Sequence, residues 1–224
     1  MQFSLANTKG TSTIQPKLKG NEIHDVVFKG VTFTTFKNKK DENDPYKVMK
    51  IRFENEDGYF EHTVFAPKEG DDVRPSNERN GVTKESPSNL ERLQFLMAHI
   101  GEQLSPTNYE KFKTLSWDLP TDFEKMVKTF QKATACAEGK KTKLKLIQNN
   151  KGEAQLPFFV NLSKEGEPFI SNNFLGEKVF FTDYEIKKME DAKNAKPTDM
   201  EGDGLASDSF GGEVAGNEDL NFDL

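Results

Sequence analysis

The sequence predicts a mainly β protein with an α-helical insertion, an OB-like Greek-key barrel carrying a disordered acidic tail at its C-terminus. Three observations lead there. Strand-period segments fall in two blocks, residues 23–65 and 141–182, and helix-period segments fill the stretch between them. Five or six strands with helices between the third and fourth is the order of an OB-type barrel, an order other small barrels share. The last 28 residues, 197–224, hold eight carboxylates, five glycines and no Lys or Arg.

Residues 1–20 are polar and threaded with Gly and Pro, so they are expected to form an extended N-terminal arm. Ile23 to Phe36 is rich in β-branched and aromatic residues and predicts a strand. Gly30 interrupts it and predicts a bulge or sharp bend of the kind small barrels need to curl. After a polar loop, Tyr46 to Glu54 alternates. Lys47, Met49, Ile51 and Phe53 share one face, and Val48, Lys50, Arg52 and Glu54 the other. Asp57-Gly58 is a hairpin signal, and Tyr59 to Phe65 supplies the returning strand.

Residues 66–87, with Pro67, Pro75 and Pro87, read as a long polar loop. Leu90, Leu93, Leu96, Met97 and Ile100 then fall at helical spacing, with Ser88 as cap and Gly101 as stop. Ser105-Pro106 opens a second short helix. Thr121-Asp122-Phe123-Glu124 fits a capping box for a third, whose apolar face is Phe123, Met126, Val127 and Phe130. From Lys141 the strand period returns, with Lys141, Lys143 and Lys145 opposite Thr142, Leu144 and Leu146. Asn149 to Gly152 reads as a turn, Gln155 to Leu162 and Lys178 to Thr182 as strands, and Asp183 as the cap of a helix running to about Ala195. The folded domain is thus placed at 21–196, with its helical insertion at about 88–138.

A chain of 224 residues buries a core without a metal or disulfide staple, and the single Cys136 has no intramolecular partner. The start, Met1-Gln2-Phe3-Ser4-Leu5, lacks the basic and apolar regions of a signal peptide. No stretch reaches the roughly 18 apolar residues of a membrane span. The expected setting is the cytoplasm, that of a bacterial host if the chain is phage-encoded. His24, His62 and His99 have no metal-ligand spacing to one another or to Cys136, and each reads as structural or exposed. No phosphate loop, nucleophile elbow or zinc motif is present. The expectation is a protein without catalytic residues, metal or cofactor.

The formal net charge is −6, from 31 Lys and Arg against 37 Asp and Glu. Without the eight tail carboxylates the body holds 31 basic against 29 acidic residues, about +2. The tail has too few apolar residues to offset the entropy of ordering it. In the body, Lys29, Lys37, Lys39, Lys40, Lys47, Lys50 and Arg52 cluster on the first hairpin, and Lys141, Lys143, Lys145 and Lys151 on and after the later strand. Brought round one groove, such cations form a track for a phosphate backbone. Phe33, Phe36, Tyr46, Tyr59 and Phe60 lie among them, with Tyr46 and Tyr59 as the stacking candidates. At the tail's tip Leu220, Phe222 and Leu224 alternate with Asp219, Asn221 and Asp223. This pattern suits a peptide ligand whose apolar residues enter a partner's pocket while its carboxylates meet a basic rim.

A β-barrel body with an acidic tail and a near-terminal Phe resembles the single-stranded DNA-binding proteins of bacteria and their phages. Lys17 to Val26 and the turn Phe53-Glu54-Asn55-Glu56-Asp57-Gly58 look most like the phage versions. The resemblance covers the tail and first hairpin and touches the helical insertion little. It implies a non-enzymatic protein that coats single strands in replication, recombination or repair, with the tail recruiting replication or repair proteins and self-association left open. Here Phe222 stands third from the end, where the bacterial pattern closes on Ile-Pro-Phe. Two other readings stay open: an interaction adaptor or phage structural component, and a nuclease or other nucleic-acid enzyme with dispersed acidic residues.

Overall fold

The structure, a computed structural model, describes residues 15–39, 41, 44–79 and 82–194. The acidic tail, and with it the expectation of disorder, lies outside the described residues.

Strand β1 (Glu22–Phe36) is followed by β2 (Tyr46–Asn55) and β3 (Gly58–Phe65) in a meander. A small hairpin, β4 (Ser76–Arg79) and β5 (Val82–Glu85), precedes α1 (Asn89–Leu104), α2 (Pro106–Phe112) and α3 (Phe123–Thr134). Then come β6 (Lys141–Gln148), β7 (Ala154–Gln155), β8 (Val160–Leu162), β9 (Pro168–Ile170) and α4 (Asp183–Asn194). Five strands form one antiparallel sheet in the order β3-β2-β1-β6-β7, curled strongly into a half-barrel.

The curl has a local cause in β1, which is long enough to serve two partners. Its first half pairs with β6, from Glu22↔Leu146 to Val27↔Lys141, and its second half with β2, out to Phe36↔Tyr46. Where it changes partner the register slips between Phe28 and Gly30, and Gly30 sits at φ 114°. A side chain there would be strained, and its Cβ would stand 2.8 Å from the Glu138 carboxylate. The expected bulge is therefore present, and it bends the strand across the barrel.

Pairing across the sheet puts Phe28, Val31, Met49, Ile51, Phe53, Leu144 and Leu146 on an inner face, all with 0 % exposure. Helices α1 and α3 supply the other half of the core with Leu96, Ile100, Phe123, Val127 and Phe130. Phe33 joins them, its ring 6.4 Å from that of Phe123. Alternation along the strands and the 3.6 period along the helices thus converge on one cluster, and much of the opposite face of the sheet stays accessible, except where side chains such as Val48 and Lys145 are covered.

Several expectations are corrected. The polar stretch 66–87 contains the β4–β5 hairpin. Gly101 does not stop α1, which runs on to Leu104. It lies under the Tyr109 ring, so close that any Cβ would collide with it, and its role is helix-to-helix contact. Helix α3 begins after Asp122 with no side-chain cap, so the capping box read at Thr121 to Glu124 is not made. At α1, by contrast, Ser88 and Glu91 form a full capping box. Gln155 to Leu162 is not one strand. Only Ala154–Gln155 extends the main sheet, while Val160–Leu162 pairs with Pro168–Ile170. Lys178 to Thr182 is not a strand. Asp183 is the first residue of α4, and Thr182 caps it: Thr182 Oγ1 accepts from Glu185 N at 3.3 Å, and Glu185 Oε2 accepts from Thr182 N at 2.8 Å.

The end of the expected N-terminal arm belongs to the fold. Leu18 N donates to Tyr59 O at 2.8 Å, Tyr59 N donates to Pro16 O at 2.9 Å, and the Leu18 side chain is buried. Three residues on, Asn21 Oδ1 accepts from Gln148 N at 2.9 Å. Residues 16–21 therefore strap the free edge of β3 to the end of β6 across the open side of the half-barrel.

Candidate nucleic-acid interface

Residues paired across antiparallel strands share a face, so the registers define the outer surface row by row. From one end they read Phe36–Tyr46, Thr34–Val48–Phe65, Thr32–Lys50–Thr63, Gly30–Arg52–Glu61 and Val27–Glu54–Tyr59. On β6, Lys141 lies opposite Val27 and Lys143 opposite Asp25.

The first two rows bring together three aromatic side chains from three strands. Phe36, Tyr46 and Phe65 are 41, 39 and 44 % exposed, and the Tyr46 and Phe65 rings meet edge-on with centroids 6.0 Å apart. Lys50 Nζ lies 5.2 Å from the Phe36 centroid. Two rows further, the Arg52 guanidinium lies 4.4 Å over the Tyr59 ring. Rings next to ammonium and guanidinium groups on a threonine-lined sheet offer stacking surfaces beside phosphate-binding charge.

The electrostatics of this face are mixed. Lys50 pairs with Glu61 at 2.6 Å, Arg52 with Glu54 at 2.7 Å, and Lys29 with Glu54 at 3.4 Å. Burial tends to raise the Glu54 carboxyl, but hydrogen bonds from Arg52 and Lys29 outweigh it and hold the group below the usual carboxylate range. Three cations thus share two carboxylates. Lys37, Lys39, Lys141 and Lys143 make no ion pair with any described residue and rim the same surface at the loop after β1 and on β6, whereas Lys47, likewise without an ion pair to a described residue, alternates onto the opposite face of β2 with Met49, Ile51 and Phe53.

The sequence candidates are therefore partly assembled and partly reassigned. Tyr46, Lys50, Arg52 and Tyr59 share the outer face, with Lys29 at the bulge. Lys145 is a correction: it is 1 % exposed, its Nζ 2.9 Å from Glu185 Oε2, and α4 covers it. Among the aromatics, Phe33 and Phe60 turn inward. Sequence reasoning misses Phe65 and does not set Phe36 apart from the other rings. The signal for both is the hairpin register, which places Phe36 opposite Tyr46 and Phe65 opposite Val48. Lys40 and the tail residues Asp219, Leu220, Phe222, Asp223 and Leu224 lie outside the described residues.

Beside this face, the strap borders a cleft of about 990 Å³ of mixed charge, lined by Lys17 and Lys19 together with Glu22, Glu61 and Glu153, and by Tyr59, Thr63 and Gln148. Among the described residues, no cluster of three or more His, Cys, Asp or Glu is placed to hold a metal. No described helix is long and apolar enough to cross a membrane. His24, His62 and His99 lie on β1, β3 and α1, and His24 Nε2 is 2.8 Å from Lys19 O. Comparison with protein families, with curated proteins and with solved structures finds no match.

Proposed function

We propose that this chain is a non-enzymatic single-stranded DNA-binding protein of OB-like architecture that coats strands without sequence preference. The observation that carries the reading is the Phe36–Tyr46–Phe65 cluster on the outer sheet face, next to Lys50 and Arg52 and rimmed by Lys37, Lys39, Lys141 and Lys143. Exposed rings stack on any base, and lysines neutralise phosphates without reading sequence. The cleft beside Lys17 and Lys19 extends the path along the barrel edge. The acidic tail competes with DNA for the cationic face, and its tip, Leu220, Phe222 and Leu224 with Asp219 and Asp223, recruits replication or repair proteins.

Fluorescence anisotropy with labelled poly-dT across a salt series tests this. Binding weakens steeply with salt and tightens when residues 197–224 are removed. Absence of binding by the tailless chain at low salt would falsify the proposal. Such a result favours the adaptor reading, for which the Glu54 and Glu61 carboxylates on the same face are the supporting observation. Removing only residues 220–224 separates the tail's roles, because partner binding fails while most of the charge remains.

A further inference from the structure

The helical side of the molecule carries a second concave surface, remote in composition from the sheet face. It is a groove of about 570 Å³ between α1, the turn at residues 67–72 and the segment 115–120. Its base is apolar, with Leu93, Met97 and Met126 buried beneath it. Trp117 stands in the wall, stacked on Phe112 with centroids 5.9 Å apart, and Leu115 beside it is 46 % exposed. The volume lies within the range of sites that enclose inserted apolar groups.

The rim is acidic. Glu69, Asp71, Asp72 and Asp118 line it against a single cation, Lys68. None of the four carboxylates forms an ion pair with a described residue, and Lys125 approaches only the Trp117 ring, with its Nζ 5.9 Å from the centroid. Asp71 is held in place by hydrogen bonds from Lys68 N at 2.7 Å and Asn89 Nδ2 at 2.8 Å, which orient the carboxylate without neutralising it.

We propose that this groove docks a cationic peptide segment of another protein, with one or more bulky apolar residues in the groove and flanking Lys or Arg on the rim carboxylates. The charge selects this occupant. A nucleic acid strand and the chain's own wholly acidic tail are both repelled by the rim, whereas a basic segment is attracted and oriented by it. An apolar base ringed by predominantly negative charge is the arrangement that anchors a side chain and fixes its register. Because the groove lies on the helical side, its occupant and a strand on the outer sheet face bind together.

Trp117 is the only tryptophan of the chain, so its emission reports this groove alone. The full-length protein is titrated with a six-residue peptide, Leu-Phe flanked on each side by two Arg, and with analogues carrying Gln or Glu in place of Arg. The Arg peptide is expected to produce a saturable emission shift that weakens with salt. The Gln analogue binds about tenfold or more weaker, and the Glu analogue gives no shift. The variant Asp72→Lys with Asp118→Lys loses about tenfold in affinity for the Arg peptide, with its thermal midpoint unchanged. Glu69→Lys, on an exposed turn, provides a second reversal if that variant does not fold. The proposal is overturned if the Arg peptide leaves the emission unchanged, or if the reversed-charge variants bind it as the parent does, which would place the peptide on the acidic tail.

Discussion

Lys145 on β6 and Glu185 on α4 form a salt bridge of 2.9 Å with 1 and 5 % of their side chains exposed. Glu185 Oε2 also accepts from Thr182 N at 2.8 Å and Thr182 Oγ1 at 3.1 Å, and Oε1 accepts from Asn172 Nδ2 at 3.2 Å. Lys145 Nζ in turn donates to Phe180 O at 3.0 Å. One carboxylate thus closes the first turn of α4 and pins the helix to the sheet. Lys145→Ala leaves that carboxylate buried and unpaired, and is expected to cost about 3–5 kcal/mol. Lys145→Met with Glu185→Leu should recover much of the loss. Urea denaturation of the two single variants and the double variant measures the coupling, and additive losses would contradict it.

If the outer face holds a strand as proposed, the three exposed rings should contribute to its binding separably. Phe36→Ala, Tyr46→Ala and Phe65→Ala are each expected to weaken poly-dT binding by about 1–3 kcal/mol per base stacked. All three side chains stand at the surface, so thermal midpoints change little. Three variants that bind like the parent would remove the aromatic cluster from the interface.

The carboxylates on the same face hold back its charge. Glu61→Gln releases Lys50 and, in part, Arg52, and is expected to tighten binding and steepen its salt dependence. Lys141→Ala or Lys143→Ala should flatten log K against log salt by about 0.7 for each phosphate no longer neutralised. The same anisotropy series reads both effects, and a Glu61→Gln protein that binds more weakly would show that Glu61 positions the cations rather than masking them.

His99 on α1 makes stability pH-dependent. Its ring lies 4.4 Å from that of Phe174, and its Nε2 is buried with no hydrogen-bond partner among the described residues. Burial pushes the imidazole down to about 4 from its ordinary 6.5, against the opposing influence of a hydrogen bond to the Asn173 side chain, which favours the protonated ring. The folded state therefore binds fewer protons than the unfolded state between these values, and stability falls as pH drops from about 6.5 toward 4. His99→Leu should flatten that part of a stability–pH profile, and an unchanged slope would assign it to other groups.

Gly101→Ala tests the packing of α1 on α2. Helix propensity alone favours alanine by about 1 kcal/mol. The Tyr109 ring leaves no room for the added methyl, so a net loss of about 1–3 kcal/mol is expected. Thermal melting decides the sign, and a more stable variant would mean that the two helices shift apart freely.

Whatever follows from local period and turn chemistry was legible in the residues alone. The alternation of Met49, Ile51 and Phe53 with Lys50, Arg52 and Glu54, the break at Gly30 and the apolar face of α3 all rest on neighbours a few residues away. The charge segregation between body and tail is likewise a property of composition. What covers each strand depended on long-range packing. Lys141, Lys143 and Lys145 occupy equivalent alternate positions in the sequence. Yet α4, 40 residues further on, buries the third and leaves the other two at the surface. Gly101 resembles a helix terminator until Tyr109 is seen packed against it. Nothing in the sequence sets Phe36 and Phe65 apart from the other phenylalanines until the register places them beside Tyr46 on the outer face. Periodicity assigns a side chain to a face, but whether that face meets water, a helix or a ligand depends on contacts between residues far apart in the chain.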